Sequence, residues 1–180
     1  MAVRIRALAE SDDRAGFRSG NEALDLFFHQ YAGQNQFRHH VGVTYVATES
    51  ASEDESEQLL GFATVAPAAL DADELPNGKS MPPYPIPVLR LARLATDERH
   101  RGRGVALALL RFTIELAEHQ RDEVGCVGVL VDAKPESTAF YERFGFVPLD
   151  TLAGEILSAP RAISMFLPLG SVPRRTAPPA

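Results

Sequence analysis

The sequence has one cysteine, Cys126, among its 180 residues, and no tryptophan. A single cysteine excludes an intramolecular disulfide framework and a zinc site built from several cysteines. No apolar run approaches the ~20 residues that cross a bilayer, and the first residues lack the apolar core of a signal peptide. These absences predict a protein of the reducing cytoplasm.

The sequence also lacks an excess of basic residues. It has 18 Lys and Arg residues and 24 Asp and Glu residues, which gives a formal charge of −6. This balance excludes a protein that coats nucleic acid through net charge alone. An apolar content of 45% in a chain of this length predicts one domain with a sizeable core. We assign residues 1–169 to that domain and residues 170–180 to a disordered tail rich in Pro and Arg.

The acidic residues are unevenly distributed. Five of them lie in residues 49–58, which we therefore expect to form a solvated hairpin tip. Residues 88–111, by contrast, hold six arginines against two acidic residues, a local charge of +4. A local field can differ in sign from the total, so a groove that binds phosphate remains compatible with the acidic composition.

The hydrophobic pattern predicts an α/β (α+β) domain. Alternating or β-branched apolar stretches predict strands at 3–8, 42–48, 59–65, 88–96, 125–133, 146–149 and 162–167. Helical spacing predicts helices at 21–31, with Asn21 as N-cap, at 104–119 and at 136–144. The proline-rich residues 67–87 are expected to form a surface loop with at most one helical turn near 68–75.

The segment Arg101-Gly-Arg-Gly-Val-Ala106, which we call the cradle segment, places two glycines between a strand and a helix. Backbone N–H groups in such a turn can face one concavity, and the helix directs its positive dipole end to the same point. This arrangement predicts a pyrophosphate site, although a tight strand–helix connection explains the glycines equally well. The spacing fits neither a Walker A loop nor the dinucleotide fingerprint.

The flanking residues resemble a known family. Arg101-x-x-Gly104-x-Ala106 matches the Q/R-x-x-G-x-G/A signature of the GNAT acetyltransferases, with Ala106 in place of the more frequent final glycine. The segment 139–146 (AFYERFGF) resembles the second hallmark of that superfamily. The resemblance implies a single GNAT-type domain, in which helices flank a mixed, mostly antiparallel twisted sheet. By the same resemblance, two neighbouring strands of that sheet would diverge to form the acetyl-CoA cleft.

Further segments resemble the GNAT toxins of bacterial toxin–antitoxin pairs. They are 20–25 (GNEALD), 34–36 (QNQ), 84–87 (YPIP), 93–95 (RLA), 131–134 (VDAK) and 166–169 (FLPL). This resemblance implies a homodimeric toxin that acetylates the free amine of aminoacyl-tRNA and so stops translation. It also implies a small DNA-binding antitoxin, encoded nearby, that represses the operon together with the toxin.

The resemblance implies roles for individual residues. The backbone of Leu94, Ala95 and Thr96 would hold the pantetheine arm of acetyl-CoA, with the N–H of Leu94 facing the thioester carbonyl. The pyrophosphate would lie on the main chain of the cradle segment, which comprises Arg101, Gly102, Arg103, Gly104, Val105 and Ala106. Tyr141 is the candidate general acid for the departing thiolate, and packing between Phe140 and Phe144 is the competing explanation for this tyrosine.

The candidate substrate-binding residues are Arg38, Arg90 and Arg93, because the guanidinium fork suits phosphate. Pairing with local acids, or contact with only the 3′-phosphate of CoA, is the alternative role for these arginines. The resemblance alone favours contact with RNA. We expect Asp97, Glu98 and His100 to be solvated turn residues without a catalytic role. No metal site is predicted, because the pair at 39–40 has no carboxylate or cysteine at ligand spacing.

Two other functions stay open. One is a GNAT enzyme that acetylates a protein amine or a small amine such as a polyamine or an aminoglycoside. The other is a module that binds acetyl-CoA or an antitoxin without turnover. An intact Tyr141 and a complete cradle segment favour an enzyme over the second alternative.

Overall fold

The computed structural model describes residues 3–50, 56–76, 78–149 and 162–171, which divide into two compact units. The first unit comprises Met1–Pro67 and Arg90–Leu116, and the second comprises Ala68–Leu89 and Ala117–Ala180. In chain order, the elements are β1 (Arg4–Ala7), α1 (Glu22–Leu26), β2 (Val43–Glu49), β3 (Gln58–Leu70), β4 (Ile86–Thr96), α2 (Val105–Glu123), β5 (Gly128–Ala133), α3 (Thr138–Glu142), β6 (Val147–Pro148) and β7 (Ile163–Pro168).

The described strands form a seven-stranded sheet in the order β1-β2-β3-β4-β5-β7-β6. The pairs β1–β2, β2–β3, β5–β7 and β6–β7 are antiparallel. The predicted mixed, mostly antiparallel sheet with flanking helices is thereby confirmed. The divergence of two strands and the domain boundary at residue 169 stay predictions, and Leu169–Ser171 forms a 3-10 turn. The rest of the predicted tail, 172–180, lies outside the described residues.

The helix predicted at 21–31 forms, but it continues to Arg38. Asn21 is the N-cap, as predicted, and its side chain accepts the N–H of Leu24 at 3.1 Å. After α1 the chain winds into two π turns, Phe27–Tyr31 and Gln34–Arg38. A π turn contains more residues than an α turn. This wider winding accompanies the burial of two successive phenylalanines, at 27 and 28.

Three aromatic rings form the centre of the first unit. Phe28 stacks on Phe62 of β3 with ring centroids 4.3 Å apart and planes at 4°. Phe17 meets both rings edge-on, at 4.8 and 5.5 Å. Such pairs contribute about 0.5–1.5 kcal/mol each beyond the burial of their area. They fix the segment around Phe17 against the strand that precedes the candidate site.

Strands β2 and β3 form the predicted hairpin, whose tip at 51–55 lies outside the described residues. Strand β3 is longer than predicted and runs through Pro67 to Leu70, where we had expected the proline-rich loop to begin. A 3-10 turn, Ala72–Glu74, follows directly, with a capping box between Asp71 and Glu74. The apolar residues at the end of the strand, Ala68 and Leu70, belong to the core of the second unit, which explains the extension.

The second unit is built on β5 and β7, whose apolar faces contribute Leu130 and Phe166 to its core. Strand β5 begins at Gly128, later than predicted, and the predicted helix at 136–144 is a 3-10 turn, Pro135–Ser137, followed by the short α3. Cys126, just before β5, is buried, and its thiol donates to the carbonyl of Gly128 at 3.3 Å. Burial raises the pKa of this thiol.

Candidate active site

The C-terminal end of β4 lies against β3 at a close backbone approach. A Cβ on Gly61 would lie 2.7 Å from the carbonyl oxygen of Ala95, so only glycine fits there. One residue beyond the strand, the N–H of Asp97 donates to the carbonyl of Leu60 at 2.8 Å. The backbone of Leu94, Ala95 and Thr96, the predicted pantetheine segment, is therefore held in the first unit by its partner strand.

The two glycines of the cradle segment adopt left-handed backbone conformations. Gly102 has φ +75 and Gly104 has φ +77, and a Cβ on either would meet nothing within 4 Å. Glycine is therefore favoured at both positions by the backbone conformation and not by a lack of room for a side chain. The space next to both glycines is open. Helix α2, 19 residues long, begins at Val105. The N–H groups of its first turn have no acceptors within the helix. The open left-handed turn therefore lies directly beside backbone donors that can bind an anion.

This geometry fits a pyrophosphate. Anions bind where backbone donors and the positive end of a helix dipole converge, and both lie at the cradle segment. Val105 is only 1% exposed and its Cγ1 would lie 2.8 Å from a Cβ on Gly61, so its side chain belongs to the core. Ala106 is half-buried. The segment offers main-chain groups to a ligand and turns these apolar side chains inward.

Asp97, which we had expected to be solvated, is fully buried at 0% exposure. Its carboxylate accepts the backbone N–H groups of Arg18 and Arg99 at 3.1 and 3.0 Å and the Arg99 side chain at 2.8 and 3.0 Å. Burial raises its pKa, but these donors outweigh burial and lower the pKa to about 2. The expectation of a solvated turn was wrong because the segment around residue 18 covers it.

The two arginine side chains of the cradle segment contact protein groups. Arg101 Nη2 donates to the carbonyl of Ser19. Arg103 Nη2 donates to both carboxylate oxygens of Glu49 at 2.9 Å, and Arg103 Nη1 lies 3.0 Å from Nδ1 of His100. Both guanidinium groups are therefore engaged by protein acceptors, and the main chain of the segment is left to face a ligand.

Two further predictions of solvent exposure, for Glu49 and for His100, were wrong. Both are buried, each 8% exposed, although we had placed Glu49 in a solvated hairpin tip and His100 in a solvated turn. Glu49 is the last residue of β2, and its acidic neighbours gave no sign of burial, because the partner that compensates its charge lies 54 residues away. Glu98, by contrast, is exposed, as predicted.

Tyr141 belongs to the second unit and lies on α3. It is 6% exposed and packs edge-on against Phe140 and Phe146, with centroids 5.1 and 5.4 Å away. Phe144 packs against Phe140, so Tyr141 does not lie between the two phenylalanines that we had considered. Burial raises the pKa of its phenol to about 12, and among the described residues Tyr141 Oη has no hydrogen-bond partner. The phenol therefore stays protonated at neutral pH.

The candidate substrate-binding arginines differ in their surroundings. Arg38 ends the second π turn and is exposed, beside a polar cavity of about 430 Å³ that Arg14 and Gln34 also line. Arg90 is exposed on β4. The guanidinium of Arg93 lies 3.7 Å from the centroid of the Phe27 ring, and desolvation, with a smaller effect of Arg90, lowers its pKa. Arg93 is thus partly engaged within the first unit.

The described residues form neither a candidate metal site nor a helix that could cross a membrane. No group of three His, Cys, Asp or Glu side chains within 3–50, 56–76, 78–149 and 162–171 is arranged to hold a metal ion. None of the helices formed by these residues combines the length and the apolar character needed to span a bilayer.

Comparison with known proteins agrees with the geometry. Residues 40–148 match the model of the acetyltransferase (GNAT) domain. The chain is 29% identical over 143 residues to the tRNA-acetylating toxin of Mycobacterium tuberculosis (strain ATCC 25618 / H37Rv), covering 78% of this chain and 82% of the relative.

Solved structures are similar over nearly the whole chain. One is AtaT complexed with acetyl-methionyl-tRNAfMet, with a TM-score of 0.80 and 26% identity over 95% of this chain and 97% of AtaT. Another is AtaTR bound with AcCoA, with a TM-score of 0.75 and 27% identity over 94% and 95% of the two chains. Because the family model matches more than half of the sequence, the chain belongs to the GNAT acetyltransferases.

Proposed function

We propose that the protein is a toxin that transfers an acetyl group from acetyl-CoA to the free amine of aminoacyl-tRNA and thereby blocks translation. The observation that supports this most directly is the structural similarity to AtaT, which covers 95% of this chain and was solved with an acetylated aminoacyl-tRNA. The open left-handed turn before α2 supplies the matching local geometry.

Acetyl-CoA supplies an acetyl thioester whose C–S bond breaks as the new amide C–N bond forms. The cradle segment would hold the pyrophosphate through its backbone, with Arg101, Gly102, Arg103, Gly104, Val105 and Ala106 contributing main-chain groups. The backbone of Leu94, Ala95 and Thr96 would bind the pantetheine arm, and the Leu94 N–H would stabilise the negative charge that develops on the carbonyl oxygen.

The protons also need a source and a destination. Tyr141 Oη holds its proton at neutral pH, since burial raises its pKa to about 12. We assign Tyr141 the role of general acid that protonates the departing thiolate. The α-amine of an aminoacyl ester is less basic than a lysine side chain, so a sizeable fraction is neutral near pH 7–8 and water can accept its remaining proton.

For the RNA, we assign Arg38, Arg90 and Arg93 to phosphate contacts. Arg38 and Arg90 are exposed and suit this role directly. Arg93 lies on Phe27, and a stacked guanidinium keeps donors at its edge for a phosphate. Aminoacyl-tRNA as substrate implies a cytoplasmic protein, and likeness to the toxins supports a homodimer and a DNA-binding antitoxin as partners.

The test is incubation of the purified protein with labelled acetyl-CoA and total charged tRNA, followed by nuclease digestion and mass analysis of the aminoacyl nucleosides. We expect the mass of the aminoacyl nucleoside to increase by that of one acetyl group, carried on the aminoacyl amine. The matched control is the same tRNA after deacylation, which should take up no label. Label on a polyamine or aminoglycoside, with none on charged tRNA, would replace this proposal by the small-amine alternative.

A further inference from the structure

Arg103 lies between the two left-handed glycines of the cradle segment, and its side chain is fixed at both ends of its guanidinium. Nη2 donates to the two carboxylate oxygens of Glu49 at 2.9 Å each. Nη1 lies 3.0 Å from Nδ1 of His100, which must act as acceptor because a guanidinium only donates. The imidazole proton is therefore on Nε2, which is buried and has no partner among the described residues.

Glu49 is a costly residue to bury, since a carboxylate removed from water needs compensating charge and hydrogen bonds. It is 8% exposed at the end of β2, opposite Gln58 of β3. The bidentate contact with Arg103 supplies both kinds of compensation. The strand is part of the sheet, so the sheet itself fixes the position of the carboxylate that holds Arg103.

The flanking glycines make this contact important. Glycine can adopt many backbone conformations. A turn with glycines at 102 and 104 therefore loses more conformational entropy than other turns when it is fixed in one conformation. A side chain fixed between them restricts that freedom before any ligand arrives. Preorganised donors bind an anion more tightly because less ordering remains to be done on binding.

We propose that Glu49 and His100 are positioning residues for the pyrophosphate of acetyl-CoA, acting through Arg103 to hold the backbone donors of the cradle segment in place. This inference rests on the proposed use of acetyl-CoA. In this proposal, the Arg103 side chain stabilises the turn, and Glu49 compensates its charge. The main chain alone then binds phosphate at this position.

In the alternative, the Arg103 guanidinium binds phosphate directly. The two roles predict opposite changes in the Kd for coenzyme A when Glu49 is substituted. Glu49→Gln removes the carboxylate that competes for the guanidinium, so direct binding predicts tighter binding of coenzyme A. Positioning predicts weaker binding, because the turn between the glycines is released. The sign of the change in Kd separates the two roles.

The experiment measures Kd by calorimetry for coenzyme A and for pantetheine, which lacks the pyrophosphate. We expect Glu49→Gln and Arg103→Met each to raise the Kd for coenzyme A by about tenfold, the usual size of a lost charge-assisted contact, and to leave pantetheine binding unchanged. The double variant should be no weaker than either single variant, because both remove the same contact. In turnover, KM for acetyl-CoA should rise while kcat stays constant.

Glu49→Leu keeps the test decisive if Glu49→Gln fails to fold, because it also removes the carboxylate and puts an apolar side chain at a position that is 8% exposed. The Arg103 side chain that it releases is 44% exposed and can stay hydrated. Arg103→Lys separates charge from geometry: it keeps the positive charge without the bidentate fork, so it should bind coenzyme A as weakly as Arg103→Met. Unchanged or tighter binding of coenzyme A by the Glu49→Gln variant would overturn the positioning role. Failure of the unaltered protein to bind coenzyme A would instead overturn the proposed function itself.

Discussion

The carboxylate of Asp97 accepts the backbone N–H of Arg18 at 3.1 Å, although 79 residues separate the two in sequence. The contact is reciprocated at the next residue, where the N–H of Glu98 donates to the carbonyl of Arg18 at 2.8 Å. Together these bonds join the segment after Phe17 to the turn that leads from β4 into the cradle segment. A buried carboxylate thus determines the path of the chain into the candidate active site.

We predict that this contact makes stability depend on pH in the acid range. The folded-state pKa of Asp97 lies at about 2, below its ordinary value of 3.8, so its contribution is complete above about pH 4 and is lost as the pH falls towards 2. At pH 7, Asp97→Asn should lower the free energy of unfolding by about 2 kcal/mol. Urea unfolding at pH 7 and pH 3 measures both effects.

The control for that measurement is Asp13→Asn, at an exposed carboxylate that accepts only the N–H of Ala15. It should change the free energy of unfolding by less than about 0.5 kcal/mol. Equal stability of the unaltered protein and Asp97→Asn at pH 7 would contradict the structural role given to Asp97.

The glycines of the cradle segment give a second prediction. Alanine at Gly102 or Gly104 meets no atom but is strained by about 1–2 kcal/mol at a positive φ, so the turn should shift and the Kd for acetyl-CoA should rise by about tenfold. Gly16→Ala is the matched control, since Gly16 also has open space and lacks a positive φ. If all three variants bound acetyl-CoA equally in calorimetry, the backbone site would be disproved.

A third prediction concerns the hydroxyl of Tyr141. Tyr141→Phe keeps the ring that packs on Phe140 and Phe146 and removes an oxygen without a hydrogen-bond partner among the described residues. Stability and acetyl-CoA affinity should therefore hold, while kcat should fall by about 10²-fold or more. Stopped-flow and steady-state rates test this, and an unaltered kcat would leave Tyr141 a packing residue.

The same residue predicts the shape of the pH profile. With a pKa of about 12, the phenol remains a proton donor throughout the range in which an ordinary tyrosine, at about 10, begins to ionise. We therefore expect no loss of kcat attributable to Tyr141 between pH 8 and about pH 10. A decline in that range that disappears in Tyr141→Phe would show that the phenol ionises earlier.

A fifth prediction concerns the arginines assigned to RNA. Arg38→Glu and Arg90→Glu should reduce tRNA acetylation most at low salt and leave the KM for acetyl-CoA unchanged, because phosphate contacts are screened by ions. Arg4→Glu makes the same change of charge at an exposed site on the edge strand and should have little effect. Equal sensitivity of all three variants would indicate a response to net charge alone.

The sequence patterns predicted the sheet, α2 and the glycine turn because these depend on local periodicity and backbone freedom. Residues whose state depends on distant partners were mispredicted. Glu49 and Asp97 look solvated from their neighbours, and their burial follows from Arg103 and from the segment around Arg18. The roles of Tyr141 and the cradle segment came from resemblance, since an aromatic helix and a glycine turn each have a purely structural explanation.

Cys126 has a practical consequence for measuring the reaction. It is the single thiol of the chain, it is 3% exposed, and burial raises its pKa, so little of it is present as reactive thiolate at neutral pH. Acetyl transfer releases free coenzyme A, whose thiol is in solution. A colorimetric thiol reagent will therefore report turnover continuously in the folded protein with a negligible background from the protein itself.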